Sequence, residues 1–150
     1  MLRQLLVSIA VSLCNIAIHA MVMVVLLRVV RRAGERPIHG TFRLVIIMMA
    51  TMSVLMGAHI AEVMVWSLAY GIIGVASDEA DLLYFAFVNY TTLGYGDVTP
   101  LQRWNLLGPM TALNGVLLIG WSTAVIFEVL RRALATMRPG EMLRHDGPPE

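Results

Sequence analysis

Apolar residues fall into three long runs and one short one. Residues 5–27 carry no formal charge, with histidine counted as neutral. As a helix this run is about 34 Å long, enough to span a bilayer. A cleaved leader would also begin with Arg3 and an apolar run. This run is too long for a leader core, and Ile18-His19-Ala20 is a poor cleavage site, so a retained helix is expected. Residues 44–74 and 104–130 predict two more spanning helices, the second bent or started at Pro109. The short run precedes residue 91. With Asp78 as N-cap and Glu79 and Asp81 in its first turn, it predicts a helix over 79–91. A helix of about 18 Å reaches halfway into a membrane.

The polar residues inside these runs are few and patterned. Ser8, Ser12, Asn15 and His19 form one stripe on the first helix, which predicts a face turned toward protein. His59 and Glu62 are three apart and share a face of the second helix. An ionisable pair at membrane depth is a functional candidate, and it also serves to pin this helix to the short one. Glu62 falls late in the helix and is expected near the outer interface, with Trp66 and Tyr70 as anchors there. Gly115 and Gly120 on the third span mark either a flexing point or close packing. Ser122 and Thr123 are expected to line a cavity. Glu128 is placed to form a salt bridge with Arg131 or Arg132.

Composition agrees: 58% of residues are hydrophobic, mean hydropathy is +0.74, and a soluble domain is excluded. A net charge of +1 gives no reason to expect nucleic acid. All eleven basic residues are arginine, and most fall in two clusters. Arg28, Arg31, Arg32, Arg36 and Arg43 follow the first span; Arg131, Arg132, Arg138 and Arg144 follow the third. By the positive-inside rule both clusters are cytoplasmic, and the N-terminus lies outside. The single cysteine, Cys14, excludes an intrachain disulfide. No helix carries arginine at every third position, so nothing suggests a voltage sensor.

One polar stretch interrupts this pattern: Thr91-Thr92-Leu93-Gly94-Tyr95-Gly96-Asp97. Gly94 and Gly96 allow backbone angles closed to residues with a Cβ. Such backbone is tolerated at membrane depth only if buried in protein or lining water. The string TTLGYGD resembles the selectivity filter of potassium channels, and the resemblance covers residues 78–127. It is similar to the small bacterial pore-loop type, with one extra N-terminal helix and leucine at position 93 where valine is familiar.

The resemblance implies an all-α membrane protein assembled as a homotetramer in the lipid bilayer. It has three transmembrane helices, a re-entrant pore helix and a filter loop. Residues 1–30 are then the N-terminal transmembrane helix and 31–43 a cytoplasmic basic loop. The pore domain is 44–130, with outer helix 44–74, pore helix 79–91, filter 91–97 and inner helix 104–130. A cytoplasmic tail covers 131–150. It implies a multi-pass protein of the cell's inner membrane that passes K+ without catalysis or organic cofactor. Thr92, Leu93, Gly94, Tyr95 and Gly96 would hold the ion. Thr91, Val88, Tyr84, Asn89 and Asp97 would support them. Where many relatives have a tryptophan bonded to the filter aspartate, this chain has Tyr84, whose hydroxyl can donate to Asp97; Asn89 would brace Tyr95. Gly115, Gly120, Thr123 and Glu128 belong to the hinge and inner mouth. Two other readings exist: a weakly selective cation pore of the same fold, and a metal- or haem-binding membrane protein using His19, His59 and Glu62.

Overall fold

The computed structural model describes residues 1–33, 41–77 and 80–135. It is all helical: α1 (Leu2–Ala33), α2 (Thr41–Ile73), α3 (Leu82–Tyr90) and α4 (Leu107–Ala135), with a 3-10 turn at Gln102–Trp104. Three segments are long and apolar enough to cross a membrane: Leu2–Arg32, Thr41–Ile73 and Gln102–Ala135. The loop over 34–40 and the tail from 136 lie outside the described residues, as do Asp78 and Glu79.

Helix α3 starts later than expected. Asp81 is its N-cap, not a first-turn residue: its backbone is extended, and its carboxylate accepts the Tyr84 N–H at 3.0 Å. An extended cap with a side-chain acceptor satisfies an orphan donor and stops helix growth backward. The helix is therefore only about 14 Å long. Helix α4 begins at Leu107, which puts Pro109 in the first turn, where a missing N–H costs nothing.

Helices α1, α2 and α4 pack together, and α3 is wedged between α2 and α4. The interior is layered. An upper apolar cluster joins Val63, Trp66 and Tyr70 of α2 to Phe85 and Tyr90 of α3 and to Trp104 and Leu107. A lower one joins Met23 and Leu26 of α1 to Leu55 of α2 and Val125 and Val129 of α4. Between them runs a polar layer containing Asn15, His19, Glu62, Asn114 and Ser122, all buried. The stripe of α1 faces protein as expected: Ser8, Asn15 and His19 are fully buried.

The start of α1 lies at the same end of the bundle as the loop after α3. Gln4 accepts the Leu106 N–H at 2.9 Å, and the Arg3 guanidinium stacks over Trp104, 5.1 Å from the ring centre. The turn before α4 is tied down by the Leu101 N–H, which donates to the Val75 carbonyl at 2.8 Å.

Candidate functional site: the loop after α3

Helix α3 ends in a defined stop. Thr91 closes it at φ −81°, and Thr92 follows at φ +61°. The Thr92 N–H donates to the Asn89 carbonyl at 3.0 Å, and the Leu93 N–H to the Val88 carbonyl at 2.9 Å. Two such bonds around a left-handed residue make a Schellman termination. Glycine usually occupies that position; a β-branched residue there is an outlier. The cost of holding Thr92 left-handed is roughly 1–2 kcal/mol. Nothing in the sequence signals this, because the glycine that would announce it lies two residues later.

The sign of φ then alternates along the loop. Thr92, Gly94 and Gly96 have φ of +61°, +61° and +76°. Leu93 and Tyr95 between them are negative, since Thr92 is the only described non-glycine with positive φ. Alternating handedness turns successive N–H groups to one side of a chain and successive carbonyls to the other. The N–H side faces α3: Leu93 and Gly94 both donate to the Val88 carbonyl, at 2.9 and 3.3 Å. Among the described residues, no hydrogen bond ends on the carbonyls of Thr92, Leu93, Gly94 or Tyr95. The loop thus presents a short row of unpaired acceptors, a chemistry suited to a cation.

The expected supports divide. The Tyr84 hydroxyl donates to Asp97 Oδ2 at 2.7 Å, and the Val98 N–H to Asp97 Oδ1 at 3.1 Å. The bond from Tyr84 holds the Asp97 carboxyl below its usual range. Thr91 donates its hydroxyl to the Phe87 carbonyl at 2.8 Å, and Val88 acts through its carbonyl, as above. The Asn89 amide does not brace Tyr95. It donates to the Phe85 carbonyl at 2.9 Å, within its own helix, and its oxygen lies against Gly108.

On α4 the expectations separate further. Gly115 is a packing glycine: a Cβ there would lie 2.1 Å from the Tyr90 carbonyl oxygen. Gly120 has nothing within 4 Å of such a Cβ. Thr123 is exposed and donates to the Ile119 carbonyl of its own helix at 3.0 Å. Ser122 does not line a cavity; it is buried, with Oγ 3.0 Å from His59 Nε2 and 3.4 Å from His19 Nε2. Glu128 is held by two guanidiniums: Arg131 Nε at 2.9 Å and Nη2 at 3.0 Å, and Arg132 beside them.

His59 and Glu62 do not lie at the end of α2. Glu62 lies about 16 Å along α2 from its last residue, at the level of the α3 C-terminus. Its carboxylate meets His19 Nδ1 at 2.7 Å, His59 Nδ1 at 3.0 Å and the Tyr90 hydroxyl. Trp66 and Tyr70 are buried rather than interfacial, bonded to Asn114 and Thr111. Sequence spacing paired His59 with Glu62, and one reading grouped His19 with them; the fold brings the three together and adds Tyr90 of α3.

A family model described as an ion channel matches residues 58–132, half of the chain. It takes in Glu62, all of α3, the loop and most of α4. Comparison with curated proteins and with solved structures gives no significant match. A match over half the chain, on the segment that holds the short helix α3 and the loop after it, makes this protein a member of the ion channel family.

Proposed function

We propose that the chain is the subunit of a potassium-selective channel, a homotetramer in which four loops surround one ion path. The observation that carries this reading is the alternation of φ through Thr92–Gly96, with its unpaired carbonyls. An ion entering a narrow pore loses its water, and the pore must replace those oxygens at similar cost. The carbonyls of Thr92, Leu93, Gly94 and Tyr95 supply four stacked layers of oxygen, and the Thr92 hydroxyl completes the innermost. In such a filter only the carbonyl of residue 93 faces the ion, so leucine in place of valine is tolerated. K+ is then cargo, and no step requires covalent chemistry.

One loop cannot encircle an ion, and surfaces left bare by one chain call for partners. Leu93 and Tyr95 are 55% and 68% exposed, at a depth where backbone must be covered by protein or line water. On α4, Leu113, Val116, Leu117 and Phe127 make one exposed face at helical spacing. A closed ring of four chains covers these faces. The arginine clusters put the loop on the outer side of the cell membrane and the α4 C-terminus inside. Detergent-purified protein should have the mass of four chains, and liposomes containing it should release K+ down its gradient. A stable dimer or trimer, or liposomes that stay sealed to cations, would refute the proposal.

Tyr84 and Asp97 brace the outer end of the filter. Tyr84→Phe and Asp97→Asn should each speed the loss of conduction during sustained opening, and the double variant should add little. Additive effects would separate the two residues. Because the Asp97 carboxyl is held low, the brace is present above an ordinary carboxylate pKa of about 3.9 and is lost only as pH falls below it. Decay in the wild type should therefore not change between about pH 8 and pH 5 on the outer side.

Glu128 is engaged with Arg131 and Arg132 and adds little charge to the inner mouth. Glu128→Gln should leave outward conductance unchanged at low and at high salt. A deficit seen at low salt alone would mean that the carboxylate concentrates cations there.

A further inference from the structure

Helix α1 lies wholly outside the stretch matched by the family model, yet it is the head of a buried polar chain that ends at the filter. His19 is fully buried, and its Nδ1 is 2.7 Å from Glu62 Oε1. The other oxygen of Glu62 accepts the Tyr90 hydroxyl proton, and His59 Nδ1 is 3.0 Å from that oxygen. Tyr90 is the last residue of α3, directly before the Schellman turn that holds Thr92. Its backbone is seated on α4 through the space left by Gly115. Asn15 adds a second tie, donating to the Glu62 carbonyl and to Asn114 Oδ1, each at 3.2 Å.

We propose that α1 is a positioning element of the pore: His19, acting through the Glu62 carboxylate on Tyr90, fixes the turn that sets Thr92 at the base of the filter. The proposal rests on reading the loop as an ion filter.

The hydrogen-bond inventory supports a chain that closes on itself. Glu62, buried between two apolar layers, needs donors for its oxygens. The Tyr90 hydroxyl donates to one of them, and the Nδ1 atoms of His19 and His59 lie within hydrogen-bond reach, each able to donate in its Nδ1–H tautomer. With each imidazole donating from Nδ1, both Nε2 atoms face the Ser122 hydroxyl, at 3.4 and 3.0 Å. That hydroxyl has one proton and cannot serve two acceptors. Ser122 therefore donates to one Nε2 at a time and, within reach of both, joins the network from α4. The groups facing the pair are all accounted for among the described residues. They are His19 and Asn15 from α1, His59 from α2, Tyr90 from α3, and Ser122, Asn114 and the Trp121 ring from α4. A divalent cation would need the same nitrogens and oxygens of His19, His59 and Glu62. Two imidazoles and one carboxylate are also a set that can hold zinc, so the zinc arm of the test below separates that reading from this one.

The test compares assembled tetramers by their K+ over Na+ permeability ratio. His19→Phe keeps a ring and removes both nitrogens; His19→Asn keeps an N–H close to the Nδ1 position. The ratio should fall about tenfold in His19→Phe, the size of one lost charge-assisted bond, and return most of the way in His19→Asn. Tyr90→Phe should lower it similarly, and the combination with His19→Phe should add nothing, because both act through Glu62. If His19→Phe does not assemble, Glu62→Gln is measured in its place with the same expectation. Wild-type selectivity in the assembled variants, or additive losses, would overturn the proposal. So would flux that responds to zinc or to a zinc chelator in the wild type and not in His19→Asn, since the cluster would then be a metal site. If the wild type does not distinguish K+ from Na+, the functional reading has failed separately. Amide exchange at Thr92 and Leu93 then decides: faster in His19→Phe sustains the proposal, unchanged rejects it.

Discussion

Gly115→Ala should abolish conduction and reduce the yield of assembled protein, while Gly120→Ala should do neither. The two glycines lie on one helix, five residues apart, and differ in what stands beside them. At Gly115 a Cβ would sit 2.1 Å from the Tyr90 carbonyl oxygen and 3.0 Å from its carbon. Both are backbone atoms in a buried junction and cannot rotate away. Relief requires α4 to move off α3, which opens the packing around Tyr90 and Leu107. Overpacking of this kind costs about 1–3 kcal/mol and sometimes more. Each chain of an assembly would bear that cost. At Gly120 the added methyl meets nothing within 4 Å, and alanine favours a helix by up to about 1 kcal/mol over glycine. Thermal unfolding and detergent mass, read beside flux, check both. Equal loss in the two variants would mean that α4 works by bending rather than by its contact with α3.

Gly94→Ala and Gly96→Ala should leave the bundle folded and destroy discrimination between ions. Both glycines have φ in the left-handed region, and neither Cβ would clash, with nothing closer than 3.9 Å. The penalty is therefore conformational alone, roughly 1–2 kcal/mol in each chain. In a filter shared by several chains such penalties add. A preference resting on a few kcal/mol falls by about tenfold for each 1.4 kcal/mol lost. Thr92 already bears the same strain and is held by two hydrogen bonds to α3; Gly96 has no such bond among the described residues. Gly96→Ala should thus do more harm than strain alone suggests. Unchanged ion preference in both variants would remove the loop from the ion path.

The spans were legible because each is an apolar run of membrane length, and the helix before the loop because it is apolar and then stops at Thr91. Its start was less so. Asp78 reads as its cap and Asp81 as a first-turn residue, whereas Asp81 is the cap; both are aspartates suited to that place, and spacing does not choose between them. The pair Tyr84 and Asp97, thirteen residues apart, was readable only through the resemblance to relatives with a tryptophan at that place. The polar layer was half legible. His59 and Glu62 share a face by local spacing, and the stripe on α1 announced a buried side. That His19 meets Glu62 depends on the register between two antiparallel helices, for which sequence carries no local signal. Ser122 was misplaced for the same reason: rotation of α4 about its axis is set by Gly115 fitting against Tyr90. The left-handed Thr92 was invisible because threonine gives no warning of positive φ.

The most direct test is the reversal potential across a bilayer containing the purified protein, with K+ on one side and Na+ at equal concentration on the other. Each tenfold preference for one monovalent cation shifts it by about 59 mV. A carbonyl-lined filter at Thr92–Gly96 predicts a shift of at least two such steps, in the direction of K+ flow, and its collapse toward zero in Gly96→Ala. A wild-type potential near zero would contradict the account, leaving a weakly selective cation pore of the same fold.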